Sequence, residues 1–126
     1  MKLKTDEIET LVFRPEDGSF SSAVKIIHQS SGNEYICDEF KTQIENRRAC
    51  LQNLIRDLST KFKGISFPKY MPFDSVKVLR PNTERSGRIL ELIWHFKNKE
   101  WNYYIDSEGK RISKRYVESD LERLDT

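Results

Sequence analysis

Two clusters in this sequence combine residue types and spacing suited to chemistry, and both are basic. In the first, Lys41, Gln43, Asn46, Arg47 and Arg48 lie close together, with Lys25 and His28 on an apolar stretch shortly before them. Arginine and lysine contact phosphates, and glutamine and asparagine hydrogen-bond riboses or base edges. The cluster therefore points to nucleic-acid binding. Against this, Glu39 and Glu45 flank the same residues, and the solvated face of an amphipathic helix has a similar composition. His28 stands apart from any motif that would supply a serine or aspartate to activate it, so it reads as a structural strand histidine.

The second cluster is Lys110–Tyr116 (KRISKRY), the most basic run of the chain, with Lys110, Arg111, Lys114 and Arg115. Just upstream lies a dense aromatic set, Trp94, Phe96, Trp101, Tyr103 and Tyr104, with Tyr116 closing the run. Strand alternation sends Trp101 and Tyr103 to one face and Tyr104 to the other. Some of these rings must fill a core. The others, for which Trp94, Trp101, Tyr104 and Tyr116 are the candidates, would form a platform for stacked bases or a protein partner.

Other chemistries lack their residues. The sequence has no phosphate-binding glycine loop, no metal-ligand cluster, no nucleophile elbow and no paired-carboxylate spacing, so neither an enzyme nor a cofactor is expected. Formal charge is +2, with ten basic and ten acidic side chains in residues 1–64 and twelve and ten in 65–126. A dedicated nucleic-acid binder is far more basic, so any RNA contact must come from a local patch. Cys37 and Cys50 show no Cys-x-x-Cys spacing and too few histidines for zinc, and they read as reduced, buried thiols. The opening MKLKTDEIETLVF has no apolar signal core and no stretch reaches membrane-span length, so a cytoplasmic location is expected.

The elements that must position these clusters follow from hydrophobic period. Ile8–Phe13, Ala23–His28 and Glu34–Cys37 read as strands, the last two joined around Ser30, Ser31, Gly32 and Asn33. From Lys41 the period becomes helical, with Ile44, Leu51, Leu54, Ile55 and Leu58 on one face and Asp38 and Glu39 at the positive end. Ser66–Pro72 is a proline-bracketed connector. Phe73–Leu79, Arg88–Phe96 and Glu100–Ile105 alternate as strands separated by polar turns. The chain thus divides into 1–62, a linker at 63–72, and 73–126.

Residues 8–58 resemble the catalytic domain of class I peptide chain release factors, the ribosomal peptidyl-tRNA hydrolases. The resemblance rests on the strand-turn-strand of Ser22–Cys37 and on Thr42, Gln43, Asn46 and Arg47 at the positions of the family's Ser-Gln…Asn-Arg helix opening. It implies a position near the tRNA acceptor end for the helix start. The family's Gly-Gly-Gln should precede Ser22, but Arg14–Ser21 (RPEDGSFS) has one glycine, no glutamine, and a restricting Pro15. Hydrolysis is therefore expected to be absent. Residues 70–126 resemble SH3-like barrels of the Tudor type, through V-x-V, G-x-I and W-x-Y strands and a closing turn with a leucine. Together these predict an α+β chain, a small antiparallel sheet with one long packed helix, followed by a small SH3-like β-barrel. The expected function is non-catalytic binding of the ribosome or structured RNA. The alternative is a protein-interaction module or a small inhibitor, of immunity type or phage-encoded, that uses aromatic surfaces of the barrel.

Overall fold

Val24, Ile26 and His28 alternate with Lys25 and Ile27, and the alternation puts one face of a strand indoors. In the computed structural model, which describes residues 2–12, 22–60, 64–81 and 84–124, two compact units form. One is Asp6–Lys61 and the other combines Met1–Thr5 with Phe62–Thr126.

The Asp6–Lys61 unit is a three-stranded antiparallel sheet with a helix on one face. Its strands are β2 (Ile8–Val12), β3 (Val24–His28) and β4 (Glu34–Cys37), in that spatial order. Helix α1 (Gln43–Ser59) starts where Thr42 Oγ1 accepts from the Glu45 backbone N–H at 3.1 Å and donates to the Glu45 carboxylate at 3.0 Å. Thr42 is thus the side-chain N-cap, with the Glu45 carboxylate held by its hydroxyl and not by its backbone N–H; Asp38 and Glu39 lie outside the helix. The apolar side of α1 is Cys50, Leu51, Leu54 and Ile55, all essentially inaccessible, packed on Val24 and Ile26. Each such aliphatic side chain contributes about 1.5–3 kcal/mol on burial. Ile44 shares the stripe but is half exposed, so burial on this face begins one turn into the helix. Segment Arg14–Ser21, where the release factors carry their glycines and glutamine, lies outside the described residues, as does Phe13.

The second unit is a seven-stranded antiparallel sheet. Its strands are β1 (Lys2–Lys4), β5 (Ser75–Val78), β6 (Ser86–His95), β7 (Glu100–Ser107), β8 (Lys110–Arg111), β9 (Tyr116–Val117) and β10 (Leu121–Arg123). The core is legible as a cross-strand row, Leu3 on Leu92 on Tyr103 on Tyr116, running through β1, β6, β7 and β9. Beside it the paired Trp94 and Trp101 meet edge to face at 5.4 Å. Residues expected to be a connector close this core. Tyr70 and Met71 are buried, Tyr70 OH donates to Leu121 O at 2.7 Å, and Trp101 Nε1 donates to Ser66 O at 2.8 Å.

The expected SH3-like barrel is not formed. The sheet runs β10-β5-β6-β7-β8 as an open path, with β1 added to β6 and β9 to β7, and no pairing among the described residues closes it. The physical reason lies at Glu118–Asp120. There the chain crosses from the β7 edge to the β5 edge through a single 3-10 turn between β9 and β10, instead of one continuous strand bonded to both. The architecture is therefore sheet-rich α+β, without a barrel. At Gly87 on β6, an added Cβ would overlap the Asp106 carbonyl oxygen, so the close approach of β6 to β7 requires glycine there. Among the described residues no helix is long and apolar enough to cross a membrane.

Candidate nucleic-acid interface

The helix-start cluster does not form one surface. Lys25 and His28 sit on opposite faces of β3, because their positions differ by an odd number. Lys25 faces away from α1 and pairs with Glu34 at 3.3 Å. His28 is buried beneath the turn, with Nδ1 2.7 Å from Ser31 Oγ and Nε2 3.5 Å from a Glu7 carboxylate oxygen. Among the described residues Nε2 has no hydrogen-bond partner. His28 is thus a structural residue that ties the 30–33 turn to the start of β2.

Asn46 is also structural. Its side chain is fully buried, Oδ1 accepts from Phe40 N at 3.0 Å, and Nδ2 donates to Ser22 O at 2.8 Å and Phe40 O at 3.0 Å. Its hydrogen-bonding capacity is spent on holding the loop before α1 against the chain that enters β3. Arg47 and Arg48 are half-buried and engaged within the fold, which leaves Lys41 and Gln43 as the exposed members.

The aromatic platform is likewise core. Trp94, Trp101 and Tyr116 are at most 4% exposed. Tyr104 is half-buried under the Arg111 guanidinium, 4.7 Å above its ring. Arg111 also pairs at 3.1 Å with Glu91, a buried carboxylate that Lys2 approaches at 3.4 Å. Arg111 therefore neutralises a buried charge, whereas Lys110, Lys114 and Arg115 remain exposed.

What tertiary structure assembles instead is a basic cluster around Tyr116. Arg80 lies 5.5 Å from the ring centroid, Lys114 lies 5.9 Å from it, and Arg85 Nη1 donates to the phenol oxygen at 3.2 Å. Among the described residues, the carboxylate paired within this group is Asp120, at 3.3 Å from Arg80 and also held by Val117 N. Three segments converge because β10 pairs with β5, Leu79 N donates to Asp120 O at 2.8 Å, and Val78 N donates to Arg85 O at 2.9 Å. The sequence marked Lys114, Arg115 and Tyr116. Arg80 and Arg85 lay in a segment read only as a polar turn, and no local signal placed them beside residue 116.

Open depressions on the second unit include one of about 300 Å³ beside Ser75, Arg88, Asp106 and Glu108, and one of about 250 Å³ beside Ser66, Glu100, Trp101 and Glu118. In the second, Glu118 Oε1 accepts from Tyr103 OH and Lys69 N, both at 2.9 Å. Burial, then the Glu118 charge, pushes the Tyr103 phenol far above its ordinary range. Among the described residues no group of three His, Cys, Asp or Glu side chains is placed to hold a metal ion.

The model of a family of unknown function, DUF6960, matches residues 52–122, more than half of the chain. The matched span carries all of the Tyr116 cluster and none of the helix-start cluster. No curated protein and no solved structure matches the chain.

Proposed function

We propose that this chain, which belongs to the family of unknown function DUF6960, binds structured RNA without acting on it chemically. The observation that carries the reading is the convergence of Arg80, Arg85 and Lys114 on Tyr116, with Asp120 the carboxylate paired there among the described residues. Such a cluster offers an excess of positive charge on a rigid base, next to exposed Arg115, in a chain whose overall charge supplies little general attraction. Phosphates bind this arrangement, and the bound counterions they release make the affinity fall with salt. The release-factor resemblance of residues 8–58 makes the ribosome the setting we favour. With no Gly-Gly-Gln in the sequence, the chain is proposed to bind there without releasing peptide.

The test is fluorescence anisotropy of a labelled RNA hairpin titrated with the full chain across a salt series. Lys114→Glu/Arg115→Glu, at exposed positions outside the core, should weaken binding at least tenfold. It should also flatten the salt slope by about 0.7–0.9 for each phosphate that is no longer neutralised. Reversal at Arg111 is unsuitable, because it would strand the Glu91 carboxylate. Binding that ignores salt, or an unchanged affinity in the double variant, would overturn the reading.

A further inference from the structure

The sequence contains two cysteines, and the fold brings them together although they sit on different elements. Cys37 ends β4 opposite Val24 of β3, and Cys50 projects from α1 with Sγ 3.6 Å from the carbonyl oxygens of both Val24 and Tyr35. One turn along the helix, Asn53 Nδ2 approaches Cys37 Sγ at 3.9 Å. Cys37 is near enough to Cys50 to help raise its thiol pKa, after burial. Both are free, Cys37 half-buried and Cys50 fully buried. Cys37 is the more accessible of the two and Cys50 the enclosed one, the order an entering and a resolving thiol would need.

We propose that Cys37 and Cys50 are a reversible dithiol–disulfide site that reacts with low-molecular-weight disulfides, with Cys37 entering first and Cys50 resolving. In the first step the Cys37 thiolate, its proton given to solvent, attacks one sulfur of the oxidant. The oxidant's S–S bond breaks and one thiolate leaves, taking a proton. In the second step Cys50, deprotonated in turn, attacks Cys37 Sγ and expels the other thiolate, which is also protonated. Two protein thiols are oxidised and one small disulfide is reduced to two thiols. Burial pushes the Cys50 thiol up to about 12, with the neighbouring Cys37 as a further cause. The second step is therefore the slow one, and the mixed disulfide accumulates transiently. The product bond joins β4 to α1 across a short loop, which restricts the unfolded chain and stabilises the unit. None of this rests on the RNA reading.

The test treats the full chain with oxidised glutathione and follows intact mass, peptide map and urea unfolding. The expected course is a transient gain of one glutathione, mapped to Cys37, followed by a species two hydrogens lighter than the reduced chain and linked Cys37–Cys50. The urea midpoint of helix ellipticity should then rise and should return to its original value on reduction. Cys50→Ala should stop at the mixed disulfide, and Cys37→Ser should take up no glutathione while folded. A wild-type chain that stays reduced, stops at the mixed disulfide or links only between molecules would overturn the proposal.

Discussion

Replacing Asn46 by alanine removes three hydrogen bonds, to Phe40 N, Phe40 O and Ser22 O, from a fully buried position. At about 1 kcal/mol net for each bond, the loss is about 3 kcal/mol. A unit as short as Asp6–Lys61 has roughly 3–8 kcal/mol in total, so the substitution consumes a large part of its stability. Asn46→Asp is the sharper probe. It keeps the shape and the acceptor for Phe40 N, but it turns a carboxylate oxygen toward two carbonyls where the amide donated. At neutral pH it should destabilise more than alanine. Protonation restores a donor, so the deficit should shrink as pH falls below the aspartate's raised pKa. Urea unfolding separates the units spectroscopically. Ellipticity of α1 reports Asp6–Lys61, and Trp94 and Trp101, the only tryptophans, report the other. With a urea slope of about 1 kcal/mol/M for so short a unit, the ellipticity midpoint should drop by about 3 M or the folded baseline should vanish. An unchanged midpoint in Asn46→Ala, accompanied by weaker RNA binding, would refute the structural role and return Asn46 to an interface.

Two further outcomes follow from the packing. Gly87→Ala must push β6 away from the Asp106 backbone, and it should destabilise the second unit by about 3 kcal/mol or more, seen as an early tryptophan-fluorescence transition with α1 ellipticity unmoved. Alkaline titration should unfold Asp6–Lys61 between about pH 9 and 12. Burial, then the Asp57 carboxylate 2.6 Å away, pushes Tyr35 up from 10.0 to about 12, and burial pushes Cys50 from 9.0 to about 12. Both groups hold their protons more tightly when folded, so their stabilisation is complete below about pH 9 and is lost as pH rises toward 12. Tyr35→Phe should move the alkaline midpoint upward in ellipticity, and tyrosinate absorbance should show one fewer phenol titrating above its ordinary value.

Local pattern in the sequence determined most elements. Period-two alternation marked β2, β5, β6 and β7, the Ser30–Asn33 turn between two short apolar runs marked β3 and β4, and period 3.6 marked α1, because these signals need only neighbouring side chains. Thr42-x-x-Glu45 carried the helix start in plain view. The burial of Asn46 was also legible, since it stands on the same i, i+4, i+8 stripe as Cys50 and Leu54; its polarity alone argued for the surface. Tertiary structure decided the rest. Whether strands close into a barrel depends on hydrogen bonds between distant edges, and the 3-10 turn at Glu118–Asp120 left them apart. Which aromatics are core depended on β1 and on Tyr70 and Met71 covering one face of the second sheet, contacts that span much of the chain. Arg80, Arg85 and Lys114 became one charged site only through the pairing of β10 with β5. Residues so far apart meet when loop closure is offset by a shared core, and a local window in the sequence carries no record of that balance.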